Sequence, residues 1–138
     1  MASHKTYSGN IVYYPTLIDV VTETTTSSAQ LVAGARGIGI EFTEGGTVNN
    51  RSGDLTITVS FDGGTNYRNY SMLISNTTNT NAQTLTRVAS VTRNSAGTDI
   101  LWLSPETLGG ITHIKATVTV SDGVSPTGNF SVKATITY

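Results

Sequence analysis

The sequence predicts an all-β fold: a single antiparallel β-sandwich, Ig-like or jelly-roll, of about eight or nine short strands with almost no helix. Three observations carry this. Apolar and polar residues alternate with a period of two in several segments, as a half-buried strand requires. Clusters of Gly, Asn, Asp and Ser interrupt these segments at regular intervals. No stretch sustains the 3.6-residue period of an amphipathic helix.

The clearest strand-turn-strand signal spans Asp54 to Ile74. Leu55, Ile57, Val59 and Phe61 alternate with Thr56, Thr58 and Ser60. That spacing puts the four apolar side chains on one face. Asp62, Gly63 and Gly64 form the structural turn: Asp bonds the backbone ahead of it, and glycine supplies positive φ. A loop over Asp62 to Thr65 sets Val59 opposite Arg68, Ile57 opposite Tyr70 and Leu55 opposite Met72. A one-residue slip would bury Asn69 and Ser71 instead. Ser60 to Tyr67 also resembles the Asp-box hairpin pattern Ser-x-Asp-x-Gly-x-Thr-Trp, with Asn66 and Tyr67 in its last two places. Turn chemistry alone accounts for these residues.

Residues 1–10 read as a flexible N-terminal arm and 11–138 as one domain. Ile11 to Val21 is apolar but contains Pro15, so it is an edge strand or two pieces broken at the proline. Thr22 to Ser28 is a strand or an extended loop, and Ala29 to Val32 is paired. Ile38, Ile40 and Phe42 form a half-buried strand, and the glycines flanking Ile38 suggest a bulge or a close approach of another backbone. Glu44 to Gly53 and Asn76 to Asn81 read as polar loops, natural contact segments. Leu85, Val88 and Val91 mark a strand of imperfect alternation. Asn94 to Gly97 is a turn, and Ile100 to Leu103 is a compact buried strand with the sole tryptophan, Trp102. Ile114 to Val120 and Phe130 to Tyr138 alternate regularly on either side of the turn-rich Ser121 to Gly128. They read as the two arms of a long closing hairpin.

Composition narrows the function. The chain has 138 residues, a net charge of −1 and only 12% charged residues. Lys and Arg are scattered singly, which argues against nucleic acid as a partner. A low-charge surface is expected to be covered in part by partners or by further copies of the chain. There is no cysteine, hence no disulfide framework or thiolate metal site. No signal peptide and no membrane-length apolar run is read in the sequence.

No constellation of reactive residues emerges. His4 and His113 are isolated, so neither a triad nor a zinc site follows, and the chain reads as a non-enzyme without cofactor. Asp62 and Asp122 could contribute to a calcium site, but no EF-hand spacing exists. Tyr13, Tyr14, Tyr67, Tyr70 and Trp102 could form a sugar-stacking platform, or pack in the core or an interface. Asn50, Asn69, Asn76 and Asn129 begin N-x-Ser/Thr sequons, which a chain rich in Asn and Thr yields by chance.

Ile57 to Tyr67, the Asn/Thr-rich Leu73 to Asn81 and the Thr/Val-rich Ile111 to Tyr138 together resemble the small all-β virion proteins of tailed bacteriophages. The resemblance implies a virion structural protein, made in a host cytoplasm and carried in the particle. It would decorate and cement the capsid by binding across neighbouring capsid subunits. Its partners would be the major capsid protein or other virion proteins, and it would be a homo-oligomer, with a trimer expected at a threefold site. Neither nucleic acid nor membrane is an expected partner. A tail or head-tail connector protein is the nearest variant, and a carbohydrate-binding or adhesive module the alternative. The expected partner-binding residues are Tyr7, Asn10, Ile11, Tyr13, Asn49, Asn50, Asn76 and Asn79.

Overall fold

The computed structural model describes residues 3–7, 10–76, 84–104 and 107–138; for residues 3–7, 10, 48 and 76 it describes the backbone alone. The chain is all-β, with 72% of it in strands, and no α-helix occurs among the described residues. The strands are β1 (Ser3–Tyr7), β2 (Asn10–Tyr14), β3 (Thr16–Val21), β4 (Thr25–Thr26), β5 (Gln30–Leu31), β6 (Gly37–Ser60), β7 (Arg68–Tyr70), β8 (Met72–Asn76), β9 (Thr84–Val88), β10 (Val91–Arg93), β11 (Gly97–Leu103) and β12 (His113–Thr137). They form one curled antiparallel sheet, a half-barrel, ordered β1-β2-β12-β6-β11-β8-β9. The described strands thus number twelve rather than eight or nine, and two of them are long.

The spine of the sheet is the pair β6 and β12, of 24 and 25 residues. They run antiparallel from His113 opposite Ser60 to Thr137 opposite Gly37. The expected closing hairpin is therefore corrected. Ile114–Val120 and Phe130–Thr137 do not pair with each other; they lie end to end on β12, each paired with β6. The turn-rich Ser121–Gly128 bends the strand instead of reversing it. Glu44–Gly53 is likewise not a free loop but the matching bend of β6.

At this corner both strands bulge. Residues 123–126 leave the ladder between Asp122, opposite Arg51, and Thr127, opposite Asn49. Residues 46–48 leave it on the other strand, before Gly45 meets Asn129. Gly46, Asn50, Ser125 and Gly128 take positive φ there, at 78°, 52°, 51° and 111°. The side chains that bury change parity across the bend on β6, from Ile38, Ile40, Phe42 and Glu44 to Leu55, Ile57 and Val59. On β12 they stay even-numbered, from Ile114, Ala116 and Val118 to Phe130, Val132, Ala134 and Ile136. A net slip of one residue keeps a single apolar face through the corner.

The bend brings the two halves of the ribbon together over one core. Arg93 pairs with Gly53 while Gly97 pairs with Glu44. Three residues thus bridge positions that a straight strand would hold about 30 Å apart. Phe130 stacks on Phe42 at 5.9 Å between ring centroids. It also lies so close to Gly53 that a Cβ there would stand 2.6 Å from Phe130 Cε1. Glycine is required at that point for close packing.

Other expectations separate cleanly. Val59 faces Arg68 and Ile57 faces Tyr70, but Leu55 faces Val91, and Met72 faces Val88. Phe61 is exposed, because β6 ends at Ser60 and the next residue turns outward over Gly110. Pro15 divides β2 from β3, and its carbonyl accepts a bond from Ala134 N. β11 is buried on one face only: Leu101 and Leu103 point inward, Ile100 and Trp102 outward. Over the span read as an N-terminal arm, Ser3–Tyr7 pairs with β2 as the outermost strand.

Candidate functional site

The Asp62 turn is held by a closed network. Ser60 Oγ donates to Asp62 Oδ1 at 2.8 Å and accepts from Gly64 N at 2.9 Å. Asp62 Oδ1 accepts from Asn66 N at 2.9 Å, and its Oδ2 from the Asn66 amide at 2.7 Å. The Asn66 backbone and side-chain amides, with Ser60 and Thr65, lower the Asp62 pKa to about 2. Gly63 and Gly64 have φ of 76° and 92°. The carboxylate is spent inside the turn, so this element is architecture. Nearby, Lys115 Nζ sits 4.3 Å from the centre of the Tyr67 ring, which is thereby occupied.

The expected partner-binding residues lie in three separate places. Tyr7 and Asn10 are register partners at the end of the β1–β2 hairpin, and Ile11 is exposed beside them. Tyr13, on the same strand, packs against the core. Asn49 and Asn50 are exposed at the corner, where Asn50 Nδ2 donates to Val124 O at 2.7 Å. Asn76 closes β8 opposite Thr84. Asn79 lies outside the described residues.

The corner also holds a buried carboxylate. Glu44 is 1% exposed, and neither carboxylate oxygen makes a well-formed hydrogen bond. Burial pushes its pKa up; the Arg93 guanidinium and the nearby Ser95 amide oppose the rise. Arg93 is itself engaged by Asp99 at 2.7 Å. Across the corner Arg51 grips Asp122 at 2.7 Å and donates to Gly128 O. Among the described residues no group of three or more acidic or histidine side chains could hold a metal ion.

A side-chain array that the sequence left scattered comes together on the outer face. Directly paired residues share a face, so they line up in rows across the sheet. One row runs from Trp102 on β11 through Gly39 on β6 to Thr135 on β12. Tyr14 extends it, falling opposite Thr135 because Tyr13 pairs with Ile136 and Thr16 with Lys133. The next row is Ile100, Glu41 and Lys133. Gly37 and Thr137 close the other side. Between these rows lies a trough of about 330 Å³, floored by Gly37 and Gly39 and walled by Glu41, Ile100, Trp102, Thr135 and Thr137. Trp102 is 38% exposed and Tyr14 36%. Of the five aromatics that could have formed a platform, the structure brings these two to one face. Strand alternation in Gly37–Phe42 and in Ile100–Leu103 was the signal; the pairing of β11 with β6 was not readable from it.

The curled antiparallel half-barrel has a counterpart among solved structures. No family model and no curated protein matches the chain. The chain is similar in fold to the crystal structure of the SPBc2 prophage-derived protein YomS, with a TM-score of 0.66 and 12% sequence identity. The match covers 97% of this chain and 99% of that one.

Proposed function

We propose that this chain is a non-enzymatic structural protein of a bacteriophage particle, which decorates and cements the capsid by docking on neighbouring capsid subunits. The observation that carries the reading is the open edge of the sheet at β1. An outermost strand offers unpaired backbone groups to another chain, and strand addition uses them. Three features support it. The whole-length likeness is to a protein of prophage origin. The surface is nearly neutral. The bend packs the two halves of the ribbon over one core, from which the edge projects. In this reading copies of the chain associate, as a trimer at a threefold position, and the protein resides in the virion. Neither nucleic acid nor membrane takes part.

Deleting residues 1–9 removes β1 and keeps the pairing of β2 with β12. The expected outcome is a melting temperature close to that of the full chain and at least tenfold weaker cosedimentation with empty particles. Undiminished binding would move the contact away from this edge. Absence of binding by the full chain to capsids, with binding to tails or connectors, would reassign its place in the particle.

A further inference from the structure

We propose that the outer-face trough between Trp102 and Thr135 is a saccharide-binding site. Its floor is the first argument. Gly39 lies on the outer side of β6 where that strand is paired on both edges, and Gly37 opens the strand on the same side, paired with β12 alone. Neither takes positive φ. A Cβ on Gly39 would touch Thr135 Cβ and Trp102 Cδ1 at 3.9 Å, and one on Gly37 only Thr137 Cβ at 4.0 Å. These are ordinary contacts, so the fold itself has room for side chains at both positions. Glycine inside a strand costs about 0.5–1 kcal/mol relative to alanine, and it marks a place where something else approaches the backbone. The register through Gly39 is unbroken on both edges, so a bulge is not the reason there.

The chemistry of the walls identifies what approaches. The indole of Trp102 lines the trough beside Gly39 and is 38% exposed; its apolar aromatic surface suits the C–H face of a pyranose. Thr135 and Thr137 bring hydroxyls that can donate or accept. At one end Glu41 and Lys133 stand directly opposite each other, yet neither forms an ion pair among the described residues. A carboxylate, two hydroxyls and an aromatic side chain line the trough, with Lys133 opposite Glu41 just beyond the lining, and they match the hydroxyl-rich rim and apolar face of a sugar. The volume, about 330 Å³, is at the small end of the roughly 300–1,000 Å³ of ligand sites. An added peptide strand does not fit here, because the backbone groups of β6, β11 and β12 are already paired within the sheet. Tyr14 lies three strand spacings from Trp102, about 14 Å, and so borders the path of a longer glycan.

Trp102 is the only tryptophan, so its fluorescence reports on the trough directly. The test screens the full chain on an array of bacterial surface polysaccharides and titrates the best binder, alongside N-acetylglucosamine tetramer, against this signal. The expected result is a saturable change with the array binder. Trp102→Ala, followed by calorimetry, should lose at least tenfold in affinity. Gly39→Ala adds a methyl to the floor at ordinary contact distances and should weaken binding while its melting temperature holds or rises. Because the proposed shell contact runs through β1, Gly39→Ala leaves cosedimentation with particles unchanged. The assignment is overturned if nothing on the array binds, or if both variants bind as the parent does. It is also overturned if the fluorescence shifts with protein concentration alone, which would assign the trough to contact between copies.

Discussion

Two carboxylates make opposite demands on the fold. Glu44 is buried without a well-formed partner, and desolvation raises its pKa. Folding therefore favours its neutral form. The stability it permits is fully present below its unfolded value and is lost as pH rises through the raised folded one. Thermal melts should show the melting temperature rising as pH falls through the raised folded value towards the unfolded one of 4.5. Glu44→Met should raise it by a few degrees above that range and flatten the dependence. Asp62 works the other way. Its pKa is lowered to about 2 by the amides and hydroxyl it accepts from. Its contribution is present above the unfolded value and fades as pH falls towards about 2. Asp62→Ala should lower the melting temperature at pH 7, and the gap should narrow in acid melts approaching pH 2. The sequence made the Asp62 turn legible because short-range turn chemistry needs no partner. It left Glu44 unreadable, since an acidic residue among turn formers looks solvated until the bend closes over it.

Among the elements, the β6–β12 corner decides most. Gly53 and Phe130 meet across it with no room for a methyl. Gly53→Ala should destabilise by about 1–3 kcal/mol through overpacking, measured by denaturant unfolding. Phe130→Ala should cost about 3–5 kcal/mol. The double substitution Gly53→Ala with Phe130→Leu should recover part of the first loss if the clash is its cause. The central hairpin register at Ile57 and Val59 was legible because one slip would bury asparagine and serine. The closing hairpin was not. Ser121–Gly128 carries true turn signals, but Glu44–Gly53 carries its own at the matching place on the partner strand. Two turn-rich segments facing each other bend a ribbon together, whereas either alone would reverse the chain.

For the whole molecule, the pattern announced the class: alternation in many segments and no helical period. The joining of all these strands into one curled sheet depends on pairings between residues far apart in sequence, such as Gly37 with Thr137. Such pairings must close large loops before they are rewarded, so refolding should fall in the millisecond-to-second range typical of all-β domains. Stopped-flow fluorescence of Trp102 measures this; refolding within microseconds would mean that the distant pairings are not limiting. The outer-face array was invisible for the same reason, because Trp102, Gly39, Thr135 and Tyr14 become neighbours only through the strand order.

The parity change at the corner sets which insertions and deletions the gene encoding this chain can absorb. Losing one codon from a paired stretch of β6 would turn the buried side chains beyond it to the solvent side, unless a bulge changed length with it. Lengthening at Val124, which is already outside the ladder, would leave both alternations intact. Residues 46–48 and 123–126 both leave the ladder, so a library of single-codon indels across the two segments would record how the two bulges share the one-residue slip.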